Sequence, residues 1–177
     1  MSTITDFRSR LAGGGARPSL FKVILNFPAF VPLGPGASRS AELLVKAASL
    51  PATTMEKVPV DFQGRKVNLT GEKNFEDWTI TAYNDTDFLI RDAFEQWMEG
   101  MNGSETNAGL QNPSEYVVDM VVIQLDRNQQ PIKTYSIKNA FPTSVGAIEL
   151  DYSSTGQIET FQVTLAMDYF TSVGVNA

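Results

Sequence analysis

Two pairs of carboxylates could do acid–base chemistry. Asp85 and Asp87 stand two residues apart, and Glu76 and Asp77 are adjacent. Paired carboxyl groups on either side of a sugar can run glycoside hydrolysis. Both pairs have plainer explanations. Acids gather at helix N-termini for electrostatic reasons alone, and neighbouring residues of a strand point to opposite faces. The triplet Gly13-Gly14-Gly15 resembles a phosphate loop, but no strand precedes it and no Gly-Lys-Ser/Thr follows. It reads instead as a hinge. Asn68-Leu69-Thr70, Asn84-Asp85-Thr86 and Asn102-Gly103-Ser104 match the glycosylation pattern, which is meaningful only on a secretory route. Arg65, Lys66 and Lys73 form the one basic concentration. It is too small for a phosphate-binding surface and reads as solvated loop.

The sequence has neither His nor Cys. Imidazole catalysis, His-based triads, thiolate nucleophiles, Cys-ligated metal sites and disulfides are therefore excluded. The net charge of −6 disfavours tight binding of nucleic acid. No cofactor, metal or catalytic residue is expected. The N-terminus does not read as a signal peptide and no apolar run is long enough to span a membrane. Folding in a cytoplasm is the expectation. With 177 residues and 42% hydrophobic residues, the chain can bury a core as one domain. Charged residues are only 19%, below the roughly 25% of ordinary soluble domains, which suggests surface covered by partners.

Residues 1–19 read as an arm carrying Ile4, Phe7 and Leu11 into the glycine hinge, with the domain proper at 20–177. A strand is expected over Leu20–Phe27. The Pro- and Gly-punctuated stretch 28–40 reads as a long loop exposing Phe30, Val31 and Leu33, with a returning strand over 42–48. Extended segments over Thr53–Val60 and Lys66–Thr70 flank a turn near Gln63-Gly64. Trp78–Tyr83 reads as a strand. A helix follows, capped by Asp85 or Thr86, with Ile90, Phe94, Trp97 and Met101 on one stripe. A polar loop spans Gly100–Pro113. Three strands close the chain, over Tyr116–Leu125, Ile132–Ala140 and Gln157–Tyr169, the first two joined by a turn at Asp126–Gln129. The fold expected is mainly β, a sandwich or barrel with one substantial helix. Exposed apolar segments on such a protein point to assembly.

Several runs carry a resemblance. Ala16-Arg17-Pro18-Ser19-Leu20-Phe21, the long run from Gly64 to Asp85 with Phe75-Glu76-Asp77-Trp78 at its centre, Asn139-Ala140-Phe141-Pro142 and Gln157-Ile158-Glu159-Thr160-Phe161 resemble the tail tube proteins of contractile-tailed bacteriophages. The resemblance spans roughly residues 16–170. It implies a β-sandwich protomer with an outer helix, whose inner strands join one continuous β-barrel in a hexameric ring. Rings would stack into a tube that DNA crosses without tight binding. The tail sheath, baseplate hub and tail terminator proteins would be its partners, and the virion tail its location after assembly in the host cytoplasm. The same fold recurs in the type VI secretion tube. The stretch 28–40 departs from the family as longer than expected.

On this reading Phe7, Leu11 and Arg17 of the arm and Phe30, Val31 and Leu33 of the loop are candidate subunit contacts. Along the strand from Ile158 to Asp168, Phe161, Val163, Leu165 and Met167 should face the core. Thr160, Gln162, Thr164, Ala166 and Asp168 make the opposite face, without Lys or Arg, and are the candidate lumen lining. Three alternatives stay open: the tube subunit of a headless contractile particle or secretion machine, a carboxylate glycosidase, and a monomeric β-sandwich binding module.

Overall fold

The computed structural model describes residues 3–11 and 14–174; Met1 of the arm and Gly13 of the hinge lie outside the described residues. Among the described residues, nine strands and four helices alternate irregularly. They are α1 (Ile4–Arg10), β1 (Phe21–Ile24), α2 (Gly34–Leu44), β2 (Val45–Ala48), β3 (Thr53–Phe62), β4 (Arg65–Phe75) and β5 (Trp78–Tyr83), then α3 (Leu89–Met101), α4 (Pro113–Tyr116), β6 (Val118–Leu125), β7 (Pro131–Val145), β8 (Thr160–Ala166) and β9 (Tyr169–Gly174). Seven strands form one antiparallel sheet in the order β1-β6-β7-β8-β5-β2, with β9 also on β7.

The sheet is organised by β7. Its first part pairs with β6 on one side and β9 on the other, and its last residues pair with β8. Lys138 lies opposite Tyr169 and Phe141 opposite Ala166, so β8 and β9 run beside β7 as one long strand interrupted at Met167 and Asp168. The interruption faces Asn139, whose φ of 55° is left-handed. Asn adopts this conformation more readily than most residues, which lets the chain turn without a glycine. Both parts of the sheet contribute to one core with the helices: Val23, Met120 and Val122 from one part, Trp78, Ile80, Val163 and Leu165 from the other.

Alternation explains the burial. Every second residue of β5 (Trp78, Ile80, Ala82) is buried, and likewise Phe161, Val163 and Leu165 of β8. The α3 stripe is as expected: Ile90, Phe94 and Trp97 are buried and Met101 packs at the edge. Phe94 stacks on Trp97 with ring centroids 6.0 Å apart, and Phe27 meets both edge-on. Each indole N–H finds a carbonyl, Trp97 Nε1 donating to Tyr116 and Trp78 Nε1 to Ser49, so neither large ring strands a polar group. The helix starts later than expected. Phe88 is its cap residue in left-handed conformation, and Asp85 acts from one turn before by accepting the Leu89 N–H.

The stretch 28–40 is corrected. It is not a loop of exposed apolar residues running to a strand at 42. From Gly34 to Leu44 it is α2. Val31 belongs to the core, and Phe30 and Leu33 are half-buried against it. Pro35 stands in the first turn of α2, where proline costs the helix no hydrogen bond. Ala37 and Ala41, four apart, form the buried face. The strand shrinks to Val45–Ala48.

Candidate assembly surfaces

Strand β8 presents the two faces that alternation requires. Opposite its buried face, Gln162 is exposed and Thr160, Thr164 and Ala166 are half-buried. The pairing register extends this face across β5, where Thr79, Thr81 and Tyr83 lie opposite Thr164, Gln162 and Thr160, and to Ser144 of β7. The result is a patch of hydroxyl and amide groups carrying no charge of its own. Lys46 of β2 approaches it at the border, its Nζ 5.5 Å from the centre of the Tyr83 ring. Asp168 does not continue this face. It sits in the bend between β8 and β9, where its carboxylate accepts a hydrogen bond from Asn139 Nδ2 at 2.6 Å. Ile158 likewise lies outside the strand and is exposed.

A larger surface escaped the residue-by-residue reading. Strands β3 and β4 pair only with each other. Gln63 and Gly64 join them, both at positive φ, as a two-residue hairpin turn requires. No residue of the hairpin is buried. Val58 lies opposite Leu69, Val60 opposite Val67 and Phe62 opposite Arg65, so these share one face. The other carries Lys57 and Asp61 opposite Thr70 and Lys66. One side of a free-standing hairpin is therefore apolar and in water. The sequence marks both segments as extended, but it does not tell whether an apolar face meets its own core or another molecule. At the base, the Phe75 ring meets Phe170 of β9 edge-on at 5.6 Å.

The arm is a second unpartnered apolar element. Thr3 caps α1 by accepting the Asp6 N–H, and the Asp6 carboxylate returns the bond to the Thr3 N–H. These bonds, from Thr3, hold the Asp6 carboxyl below the usual aspartate range. Ile4, Phe7 and Leu11 are all exposed, and Arg17 is exposed beyond the hinge. Of the six expected contact residues, the arm's three thus lie open, whereas Phe30, Val31 and Leu33 serve the protomer's own packing.

Asp85 is engaged at the α3 N-terminus. Among the described residues no group of three His, Cys, Asp or Glu side chains could hold a metal. No described helix is long and apolar enough to cross a membrane.

The phage tail tube protein family matches residues 16–172 of the chain. The tail tube protein gp19 of Enterobacteria phage T4 is 38% identical over 162 residues, covering 90% of this chain and 93% of that protein. The tail tube protein of Serratia phage KSP90 is 31% identical over 175 residues, covering 98% and 97%. Among solved structures, a chain of the sheath–tube complex of the extracellular contractile injection system PVC superposes with a TM-score of 0.65. It is 17% identical and is covered over its full length by 98% of this chain, a likeness of fold. A mainly antiparallel β protomer with apolar surface left in water, matched by the family over nearly all its length, belongs to the phage tail tube proteins.

Proposed function

We propose that this chain is the structural subunit of the inner tube of a contractile tail. Six copies close a ring and rings stack head to tail. The observation that carries this reading is the free-standing hairpin β3–β4 with its exposed apolar face. Apolar surface in water costs about 25 cal/mol per Å² relative to burial. Such a surface is stable in solution when neighbouring copies cover it. A stacking contact uses two different surfaces and so propagates without closing. The role is structural and non-enzymatic. The tail sheath, a baseplate hub and a tail terminator are the partners. The virion tail is the location, after assembly in the host cytoplasm.

The uncharged face of Thr160, Gln162, Thr164, Thr79 and Thr81 suits the lumen. Every Lys or Arg facing a duplex would hold phosphate and exchange counterions, which slows passage. Small hydroxyl and amide groups leave a hydrated duplex free to slide. Negative-stain microscopy of the concentrated protein tests the assembly, with rings and tubes expected and a persistent monomer refuting it. Replacing Gln162 and Thr164 with Lys tests the lumen: protomers fold normally and DNA ejection slows. Unchanged ejection from tails built wholly of this variant would sink the lumen assignment.

The likeness to a chain of an injection-system sheath–tube complex favours one second reading, a tube that carries no DNA. Capsid and DNA-packaging genes beside the tube gene separate the two.

A further inference from the structure

The loop 146–159, between β7 and β8, encloses a cleft of about 640 Å³. Ile148, Leu150, Tyr152 and Ile158 supply its apolar wall, and Leu150, Tyr152 and Ile158 stand well exposed. Glu149 and Asp151 supply an acidic rim, and no Lys or Arg lines the cleft. Asp151 accepts hydrogen bonds from the Ser153 hydroxyl at 2.6 Å and from the Ser153 N–H, which fixes the carboxylate in place. Glu159 also lines the cleft and is tied to Asn84. Arg91, beside the loop, is held by Glu95 and by the Gly146 carbonyl.

The complement of this cleft is on the same chain. Helix α1 has no buried residue. Ile4, Phe7 and Leu11 make a stripe at i, i+3 and i+7. At 3.6 residues per turn, Arg8 and Arg10 fall on opposite sides of that stripe, while Asp6 points away and is bound to Thr3. An apolar ridge flanked by two cations matches an apolar cleft rimmed by carboxylates.

The helix cannot fill the cleft of its own chain. The arm leaves the domain where Gly14 and Gly15 lie against Asp126 and Arg127, at the start of β7. The cleft lies beyond the other end of β7. At about 3.3 Å per residue, the limbs of β7 on either side of Asn139 span about 26 and 20 Å, so its ends stand more than about 25 Å apart at any corner wider than about 65°. From Gly14 back to Ile4, a helix of about 10 Å and no more than about 3.6 Å for each other residue give a reach of at most about 25 Å. Donor and acceptor thus sit at opposite ends of the protomer, a heterologous arrangement that repeats along an axis.

We infer that α1 of one copy seats in the 146–159 cleft of the next copy along the tube, with its apolar stripe against the wall and Arg8 and Arg10 against the acidic rim. This rests on the tube reading above. The chain has no cysteine, so engineered thiols report unambiguously. Chains bearing Phe7→Cys and chains bearing Tyr152→Cys are mixed, assembled and treated with a short bismaleimide. The expected product is a covalent dimer of one of each, and the double variant yields a ladder. Phe7→Cys mixed with Ser104→Cys stays uncoupled. Reversing Arg8 and Arg10 to Glu raises the critical concentration for tubes about tenfold, and adding Glu149→Lys and Asp151→Lys restores it. Tubes without cross-links, or charge reversal without effect, overturn this inference and leave the tube reading standing. No rings or tubes from the unsubstituted chain overturn both.

Discussion

Asn139 donates its Nδ2 to the Asp168 carboxylate at 2.6 Å while its own backbone is held at a φ of 55°. Asn139 is the left-handed residue within β7, and Asp168 lies beside it in the break between β8 and β9. Asp119 braces the same corner from β6, accepting the Asn139 N–H and pairing with Lys138. Asn139→Ala removes the amide and leaves a side chain that tolerates this backbone poorly, so the protomer should lose about 1–2 kcal/mol. Asn139→Gly relieves the backbone and should lose less. Urea denaturation of the monomer separates them; equal losses would mean that backbone conformation is not the issue.

The aromatic cluster under α3 should dominate protomer stability. Trp97 is buried against Phe94 and Phe27 and satisfies its N–H on Tyr116. Trp97→Ala should cost about 3–5 kcal/mol. Gly100→Ala probes the same region, because the added Cβ would lie 2.3 Å from Phe30 Cε2 and displace that ring. Thermal melts should rank Trp97→Ala below Gly100→Ala and both below the unsubstituted chain.

Val31 and Leu43 should respond very differently to truncation. Val31 is in the core, whereas Leu43 on α2 is 88% exposed. Val31→Ala should cost the monomer about 2 kcal/mol. Leu43→Ser should change it by no more than about 0.5 kcal/mol. Equal effects in chemical denaturation would contradict the position of Val31.

Acid should loosen the corner. The hydrogen bond from Lys138 holds the Asp119 carboxyl below its ordinary value of 3.8. A depressed carboxyl contributes stability above the unfolded value, and that contribution is lost as pH falls through the folded one. The pair is partly solvent-exposed, so the effect is small. Stability measured from pH 6 downward should fall less steeply below the ordinary aspartate value in Asp119→Asn than in the unsubstituted chain. Identical slopes would remove Asp119 from the acid response.

On the tube reading, Val60→Thr with Val67→Thr should separate folding from assembly. Threonine keeps the strand propensity and removes apolar surface. The monomer should melt as before, and sedimentation should show that tubes no longer form. Normal tubes from this variant would take the hairpin face out of the interface.

Periodic patterns told the most. Alternation in Phe161–Leu165 and the Ile90–Trp97 stripe identified core faces, because burial acts directly on residue type, while the aromatic and β-branched residues of Trp78–Tyr83 marked a strand. Gln63-Gly64 marked a turn through backbone sterics. Helix α2 was hidden because its first turn carries the glycines and proline of loops. The bend at Asp168 was hidden because the left-handed residue that makes it, Asn139, sits on the neighbouring strand. The arm's apolar residues were legible as exposed. The destination of the hairpin's apolar face depends on another molecule, which one chain's pattern does not contain.

Because β3 and β4 hold no fully buried residue and pair with no other strand, the hairpin beyond its Phe75 base can open without unfolding the domain. A lone two-stranded hairpin is at best marginally stable in water, so its amide hydrogens should exchange with deuterium far faster in the free subunit than those of β5 and β8. Covering the hairpin would slow that exchange. Amide protection between Thr53 and Phe75 then becomes a clock for assembly, readable in solution before any tube is long enough to be seen.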